Sequence, residues 1–184
     1  MKVDRSRGAR VPPRYWLRRR RLVAERDGFA LGEFVRGDLA RLGRETDRAW
    51  ETDAGDPAFR VPGPAGHAAV VEVATGDLLG FVGWNQVHWG PTSTCAAWNV
   101  GVFLLPAARG RGAGTAALRM LVRWLFTVSP VHRLQAVTDV ENTRTRRALA
   151  AAWFTEEGVV RGAALRGGVR RDMVMFSLLR SDHG

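Results

Sequence analysis

Between Trp98 and Phe126 the chain passes from an alternating apolar stretch, through Pro106, into Arg109-Gly110-Arg111-Gly112-Ala113-Gly114, and then into a helical repeat. Val100, Val102 and Leu104 alternate, the period of a strand with one face in a core. Leu118, Leu121, Val122 and Leu125 recur at the spacing of a helix packed along one side. A strand, a glycine turn and a helix start, in that order, confine the chain to an α/β arrangement. Glycines let backbone N–H groups come close to a ligand. The helix start adds a partial positive charge, and Arg109 and Arg111 add full ones. The combination predicts a site for a pyrophosphate. The G-K-[ST] ending of a Walker loop is absent, and so is the G-x-G-x-x-G spacing of a dinucleotide fingerprint.

The rest of the chain is read around this unit. Residues 1–14 lack a hydrophobic period and contain Pro12-Pro13, as a flexible arm would. Residues 15–26 are either a short helix or a continuation of that arm. Residues 29–35 suit a first strand. Asp38 caps a helix to about Gly43, with a second helix running on to Trp50. Residues 53–66 hold three prolines and three glycines and form a loop. Residues 67–74 and 78–88 pair across a turn at Thr75-Gly76-Asp77, and residues 97–105 add a strand. A helix over 115–128, a strand over 134–140 and a helix over 143–153 capped by Asn142 follow. Residues 154–161 and 172–179 close the sheet. The order predicts one α/β domain over 27–184 with a basic arm over 1–26. It is not a repeating strand–helix unit, which disfavours a doubly wound nucleotide fold.

Composition narrows the class. The 184 residues are 46% hydrophobic, enough for one core. No apolar run reaches the ~20 residues of a membrane helix. The arginine-rich start lacks the apolar stretch of a secretory signal. Cys95 is the single cysteine, which excludes a disulfide framework or a cysteine-based zinc site within one chain. The expectation is a soluble, cytoplasmic protein with no metal and no membrane partner. The net charge of +10 is uneven, since residues 1–26 alone carry ten basic side chains and two acids. Two readings of that arm stand. Tyr15 and Trp16 beside Arg18 to Arg21 suit stacking and phosphate contacts with RNA. A solvated tail or a subunit contact in a homodimer suits the same residues.

The Arg109–Gly114 run matches the R-x-x-G-x-G/A coenzyme A loop of the GNAT N-acetyltransferase superfamily. Residues 139–154, D-V-E-N-T-R-T-R-R-A-L-A-A-A-W-F, resemble that family's strand-five to helix-four segment, and the C-terminal stretch resembles its RimJ/RimL-type subgroup. The likeness covers residues 28–180. It implies a single domain with a mixed central sheet of about six or seven strands, splayed between strands four and five, and about four helices. It further implies acetyl-CoA as co-substrate. Pyrophosphate would rest on the amides of Gly110, Arg111, Gly112, Ala113, Gly114 and Thr115, beside Arg109. Pantetheine would lie along Phe103 and Leu104, reached by Asn142, with Thr145 in the small-hydroxyl position. The same strand's amides would stabilise the oxyanion.

The chain departs from that pattern in three places. The strand-four glutamate of many members is Asn99 here, their helix-four tyrosine is Leu149, and their Gly-Phe is Trp153-Phe154. For proton handling the residues offer Glu72, a carboxylate on a central strand, and Asn99 in the glutamate position. His67, His88 and solvent are further candidates. Trp84, Trp89 and Trp98, with His88, are expected to line an aromatic acceptor pocket. The function implied is an acyltransferase that moves the acetyl group of acetyl-CoA directly to a primary amine, on a small metabolite or a peptide N-terminus. Two alternatives are an amide-forming transferase that uses aminoacyl-tRNA on the same fold, and a non-catalytic module that binds coenzyme A or RNA.

Overall fold

Asp27 and Gly28 reverse the chain. Both lie in the left-handed region, at φ 52° and 80°, the geometry of a two-residue hairpin turn that Asp-Gly favours. They join β1 (Leu22–Arg26) to β2 (Phe29–Gly32), with Arg26 opposite Phe29. This computed structural model describes residues 20–53 and 63–183. The expectation of arm or helix is therefore corrected for residues 22–26, which are strand. Their exposure alternates along β1, and Ala24 packs on the core. Residues 1–19, on which the RNA and subunit-contact readings rest, lie outside the described residues.

The strands that follow are β3 (Ala65–Glu72), β4 (Leu78–His88), β5 (Ala96–Leu104), β6 (Arg133–Asp139), β7 (Thr155–Arg166) and β8 (Val169–Leu179). They form one mixed sheet in the order β1-β2-β3-β4-β5-β6-β8-β7. The helices are α1 (Asp38–Glu45), α2 (Ala113–Val128) and α3 (Thr143–Ala151). The expected helix reaching Trp50 does not form among the described residues. Thr46 is extended at the end of α1 and Arg48 turns left-handed at φ 51°, so 46–53 is an irregular crossing segment. The last two strands are longer than expected because Gly167-Gly168, at φ 57° and 73°, makes a second tight hairpin.

The sheet opens where the family likeness placed the opening, although the added N-terminal strand makes the flanking strands the fifth and sixth. β5 and β6 run parallel and pair only at Ala97–Arg133, Trp98–Leu134 and Asn99–Gln135. Past Asn99 the two separate, while β5 stays fully paired to β4. Each face of the sheet carries its own core. Leu118, Leu121, Val122 and Leu125 of α2 and Leu149 of α3 bury one face. Leu42 of α1 covers Ala69, Val71, Leu78 and Leu105 on the other. Each such leucine contributes about 1.5–3 kcal/mol. Among the described residues no helix is long and apolar enough to cross a membrane.

Candidate active site

The opening beside β5 is a cleft of about 760 Å³. Its floor is the stretch from Val100 to Leu104, and its far wall is Ala136 to Asp139 with Asn142 and Thr145. At one end lies the glycine turn. Gly110 and Gly112 sit at φ 79° and 85°, and a Cβ at either would meet nothing within 4 Å. Their glycines are required by backbone conformation rather than by crowding, and the space beside them is free for a ligand. Gly112 supplies no side-chain cap to α2. The first amides of that helix, at Ala113, Gly114 and Thr115, therefore point outward without intrahelical partners. A pyrophosphate fits that donor set.

The loop arginines are engaged rather than mobile. Arg109 donates from Nε to the Leu104 carbonyl at 3.0 Å and from both Nη atoms to the Asp47 carboxylate. That bond, opposed by a smaller desolvation, holds the Asp47 carboxyl down to about 2. Arg111 pairs with Glu72, which also accepts from Thr75 Oγ1 at 3.1 Å. Glu72 lines neither the cleft nor the second cavity, on the opposite face of the sheet. Glu72, expected as a candidate base, therefore stands outside both cavities, with its carboxylate paired to the glycine turn through Arg111. Asn142 sits as expected, buried, capping α3 by accepting from the Thr145 N–H at 3.2 Å. Arg144 and Arg147, absent from the expectations, line the cleft from α3. Helical spacing from Asn142 carried that signal, since both fall within one or two turns of it.

The crossing segment spans the mouth of this cleft. At one end Asp47 grips Arg109. At the other, Asp53 accepts the Gly167 and Gly168 N–H groups at 2.8 Å each, which lowers its own carboxyl pKa. Between them Trp50 stacks under Arg166 at 5.0 Å, and Arg166 pairs with the buried Asp139 at 2.8 Å.

On the opposite face lies a second cavity, of about 620 Å³. Its floor is a grid set by strand register. Ala65, Asn85 and Asn99 face one another across β3, β4 and β5. His67, Gly83 and Gly101 form the next row, and Ala69, Phe81 and Phe103 the third. The glycine pair makes the depression. Phe81 stacks on Phe103 at 5.4 Å, and Phe34 meets His67 edge-on at 5.1 Å. Asn99 Nδ2 donates to Asn85 Oδ1 at 3.2 Å, while Asn99 Oδ1 is buried without a partner among the described residues. Both cavities share Val100 to Phe103 and Val137, so they meet at the splayed edge of β5.

Of the expected tryptophan wall with His88, Trp84 alone is among the described residues that line either cavity. Successive side chains alternate between faces, which puts Trp84 and Trp98 opposite Asn85 and Asn99. Trp84 does line the second cavity, with its ring packed on Trp124 at 4.9 Å. Trp98 donates to Ser129 Oγ at 3.0 Å. His88 ends β4, exposed and outside both cavities. Trp89 donates to Gln135 at 2.9 Å. The wall is instead phenylalanine, with His67 as its titratable member.

Residues 40–155 match the profile of a family described as acetyltransferase (GNAT) domain. The protein named "Probable N-acetyltransferase YjcK", from Bacillus subtilis, is 29% identical over 116 residues, covering 63% of this chain and 62% of that protein. The match thus spans less than two thirds of that relative's length. RimJ of Mycobacterium smegmatis, solved in complex with CoA-disulfide, superposes with a TM-score of 0.69 at 21% identity, over 84% of this chain and 83% of that one. The ribosomal-protein-S5-alanine acetyltransferase of Vibrio fischeri does so with a TM-score of 0.69 at 20% identity, over 86% and 97%. These two likenesses are of fold.

Proposed function

The chain belongs to the GNAT acetyltransferase family, and from that premise we propose that it transfers the acetyl group of acetyl-CoA to a primary amine seated in the cavity beside Asn99. The observation that carries this reading is the meeting of the two cavities at the free edge of β5. A donor threaded through the splay and an amine on the Asn99 side reach one another there.

The bound thioester supplies the acetyl carbon: the amine nitrogen bonds to it, the C–S bond breaks, the sulfur leaves as thiolate, and the proton shed by the acylated nitrogen passes through solvent to that thiolate. The chain's own groups act around that exchange. The Leu105 N–H bonds back to β4 at the Leu79 carbonyl, and the Leu104 carbonyl points the other way, to Arg109. By strand alternation the Val102 and Leu104 N–H groups also face the splay, able to donate to pantetheine and to the developing oxyanion. Gly110 to Thr115 offer amides to the pyrophosphate. His67, which lines that cavity, takes the ammonium's proton before attack in this reading. The Vibrio fischeri neighbour is named for an alanine of ribosomal protein S5 as its acceptor, and a peptide N-terminus suits an open cavity of this size.

The test is coenzyme A release from acetyl-CoA with a panel of primary amines. Gly83→Val fills the acceptor floor, where an added Cβ meets only the Gly66 carbonyl at an ordinary 3.8 Å. It should abolish transfer while acetyl-CoA still raises the melting temperature. Undiminished transfer in that variant would place the acceptor elsewhere.

A further inference from the structure

We infer that the acceptor cavity selects a primary amine carried on a compact apolar group, with Asn99 Oδ1 accepting one of its N–H bonds, and that it discriminates against polycations. The inference rests on the proposed transfer only for the identity of the reacting nitrogen.

Charge comes first. Among the described residues that line the cavity there is no Asp, Glu, Lys or Arg, and His67 is the one titratable side chain. A polycation brought into such a space leaves water and meets no carboxylate among those described residues, which is strongly unfavourable. A monoamine can enter neutral, or lose one proton on the way. Its apolar body then meets Phe81 and Phe103 at the floor and Leu42 from α1.

The polar groups give the orientation. Asn85 Oδ1 holds one Asn99 N–H, which fixes the amide plane and turns Asn99 Oδ1 away from its partner. That oxygen is buried and unsatisfied. An unsatisfied buried acceptor is costly, and an amine N–H placed there removes the cost. Asn99 lies one residue before the stretch shared by the two cavities, so an amine held on it has its lone pair free toward the splay. The neutrality of the amide matters as well. A carboxylate at this position favours the bound ammonium, whose lone pair is blocked, whereas an amide oxygen holds the neutral amine equally well. Asn85 is then a positioning residue and Asn99 a substrate contact.

The experiment uses the full chain in two readouts. Calorimetry on protein saturated with coenzyme A measures binding of 2-phenylethylamine, of an alanine-initiated peptide and of spermidine. Steady-state transfer from acetyl-CoA is measured with the same three. We expect kcat/KM for the two apolar amines to exceed that for spermidine by about a hundredfold or more. Asn99→Ala should weaken apolar-amine binding and kcat/KM by about tenfold, the value of one hydrogen bond, with the coenzyme A affinity unchanged. Asn99→Asp should narrow the gap to spermidine by about tenfold. The free amine and the peptide distinguish a metabolite from a chain terminus, and a preference for either supports the inference. Spermidine as good as the apolar amines, or an Asn99→Ala variant with unchanged binding and kcat/KM, overturns it. Asn99-dependent binding without any transfer refutes the proposed function and leaves this inference standing. Transfer indifferent to Asn99 does the reverse.

Discussion

Arg109 and Asp47, 62 residues apart in the chain, meet side by side, each guanidinium Nη donating to a different carboxylate oxygen. The pair joins the glycine turn to the crossing segment and, through the Leu104 carbonyl, to the end of β5. Arg133 and Glu157 make a similar two-fold contact, with Ser177 Oγ adding a third bond at 2.7 Å.

Acid stability follows from these two pairs. Asp47 is held at about 2 against an ordinary 3.8, and Glu157 at about 2 against 4.5, chiefly by Arg133. Both folded values lie below the unfolded ones. Each group therefore stabilises the fold above its unfolded pKa, and that contribution is lost as pH falls toward the folded value. Melting temperature should decline between about pH 5 and 2, and less steeply in Asp47→Asn/Glu157→Gln. Both carboxylates are partly solvated, so the flattening should be modest. Parallel pH profiles for variant and parent would show that neither pair matters.

Coenzyme A affinity should depend on Arg144 and Arg147 as well as on the glycine turn. Both line the cleft, and neither has an acidic partner among the described residues, in contrast to Arg109 and Arg111. Removing two charge-assisted phosphate contacts from Arg144→Ala/Arg147→Ala should weaken binding by about tenfold or more and reduce its salt dependence. The shift in melting temperature at fixed acetyl-CoA measures it. An unchanged shift would leave the phosphates to the backbone amides alone.

The sequence carried the fold and the elements around the cleft well, because both are written locally. The strand–turn–helix unit, the Asn142 cap and the sheet opening depend on short-range periods and on glycines that only a few conformations require. The first strand was also legible, in Asp27-Gly28, but the arginines around it read as arm. The second cavity was not, since it depends on register. That Asn99 faces Asn85, and that Gly83 and Gly101 align with His67, follows from pairing of strands far apart in the chain. Alternation alone, however, already separates Trp84 and Trp98 from Asn85 and Asn99. The Arg111–Glu72 pair joins a loop to a strand end across 39 residues, beyond any local signal.

Trp153 offers a test of backbone strain. It ends α3 at φ 71°, where the Phe154 N–H closes onto the Leu149 carbonyl at 3.1 Å. Glycine adopts that conformation freely and other residues do so at a cost of about 1–2 kcal/mol. The indole offsets part of this by lying under Arg119 at 4.8 Å and near Arg26 at 5.9 Å. Trp153→Ala keeps the strain and removes the ring contacts, so it should destabilise. Trp153→Gly should be more stable than Trp153→Ala by about 1 kcal/mol in chemical denaturation. Equal stabilities would mean that the turn relaxes.

Arg20 and Asp38 tie the residues ahead of β1 to the segment that carries Phe34 into the second cavity, and their separate effects on stability and on kinetics can be measured. Their side chains are 5% and 9% exposed and meet at 2.7 Å. The same Arg20 Nη1 donates to the Glu33 carbonyl at 2.6 Å, and the same Asp38 Oδ2 accepts the Val35 N–H at 3.0 Å. Phe34 lies between those two anchored residues, with its ring against His67. Asp38→Ala leaves a buried guanidinium without its counter-ion and should cost about 3–5 kcal/mol. It should also raise KM for the amine, because Phe34 loses its backbone supports, while acetyl-CoA binding is spared. Replacing both partners, as Arg20→Met/Asp38→Leu, removes the buried charges together and should recover most of the stability. It cannot restore the bonds to Glu33 and Val35, so the raised KM should persist. Urea denaturation and amine kinetics on the same preparations separate the two effects. Recovery of both in the double variant would mean that the pair acts on stability alone and that Phe34 is held by packing.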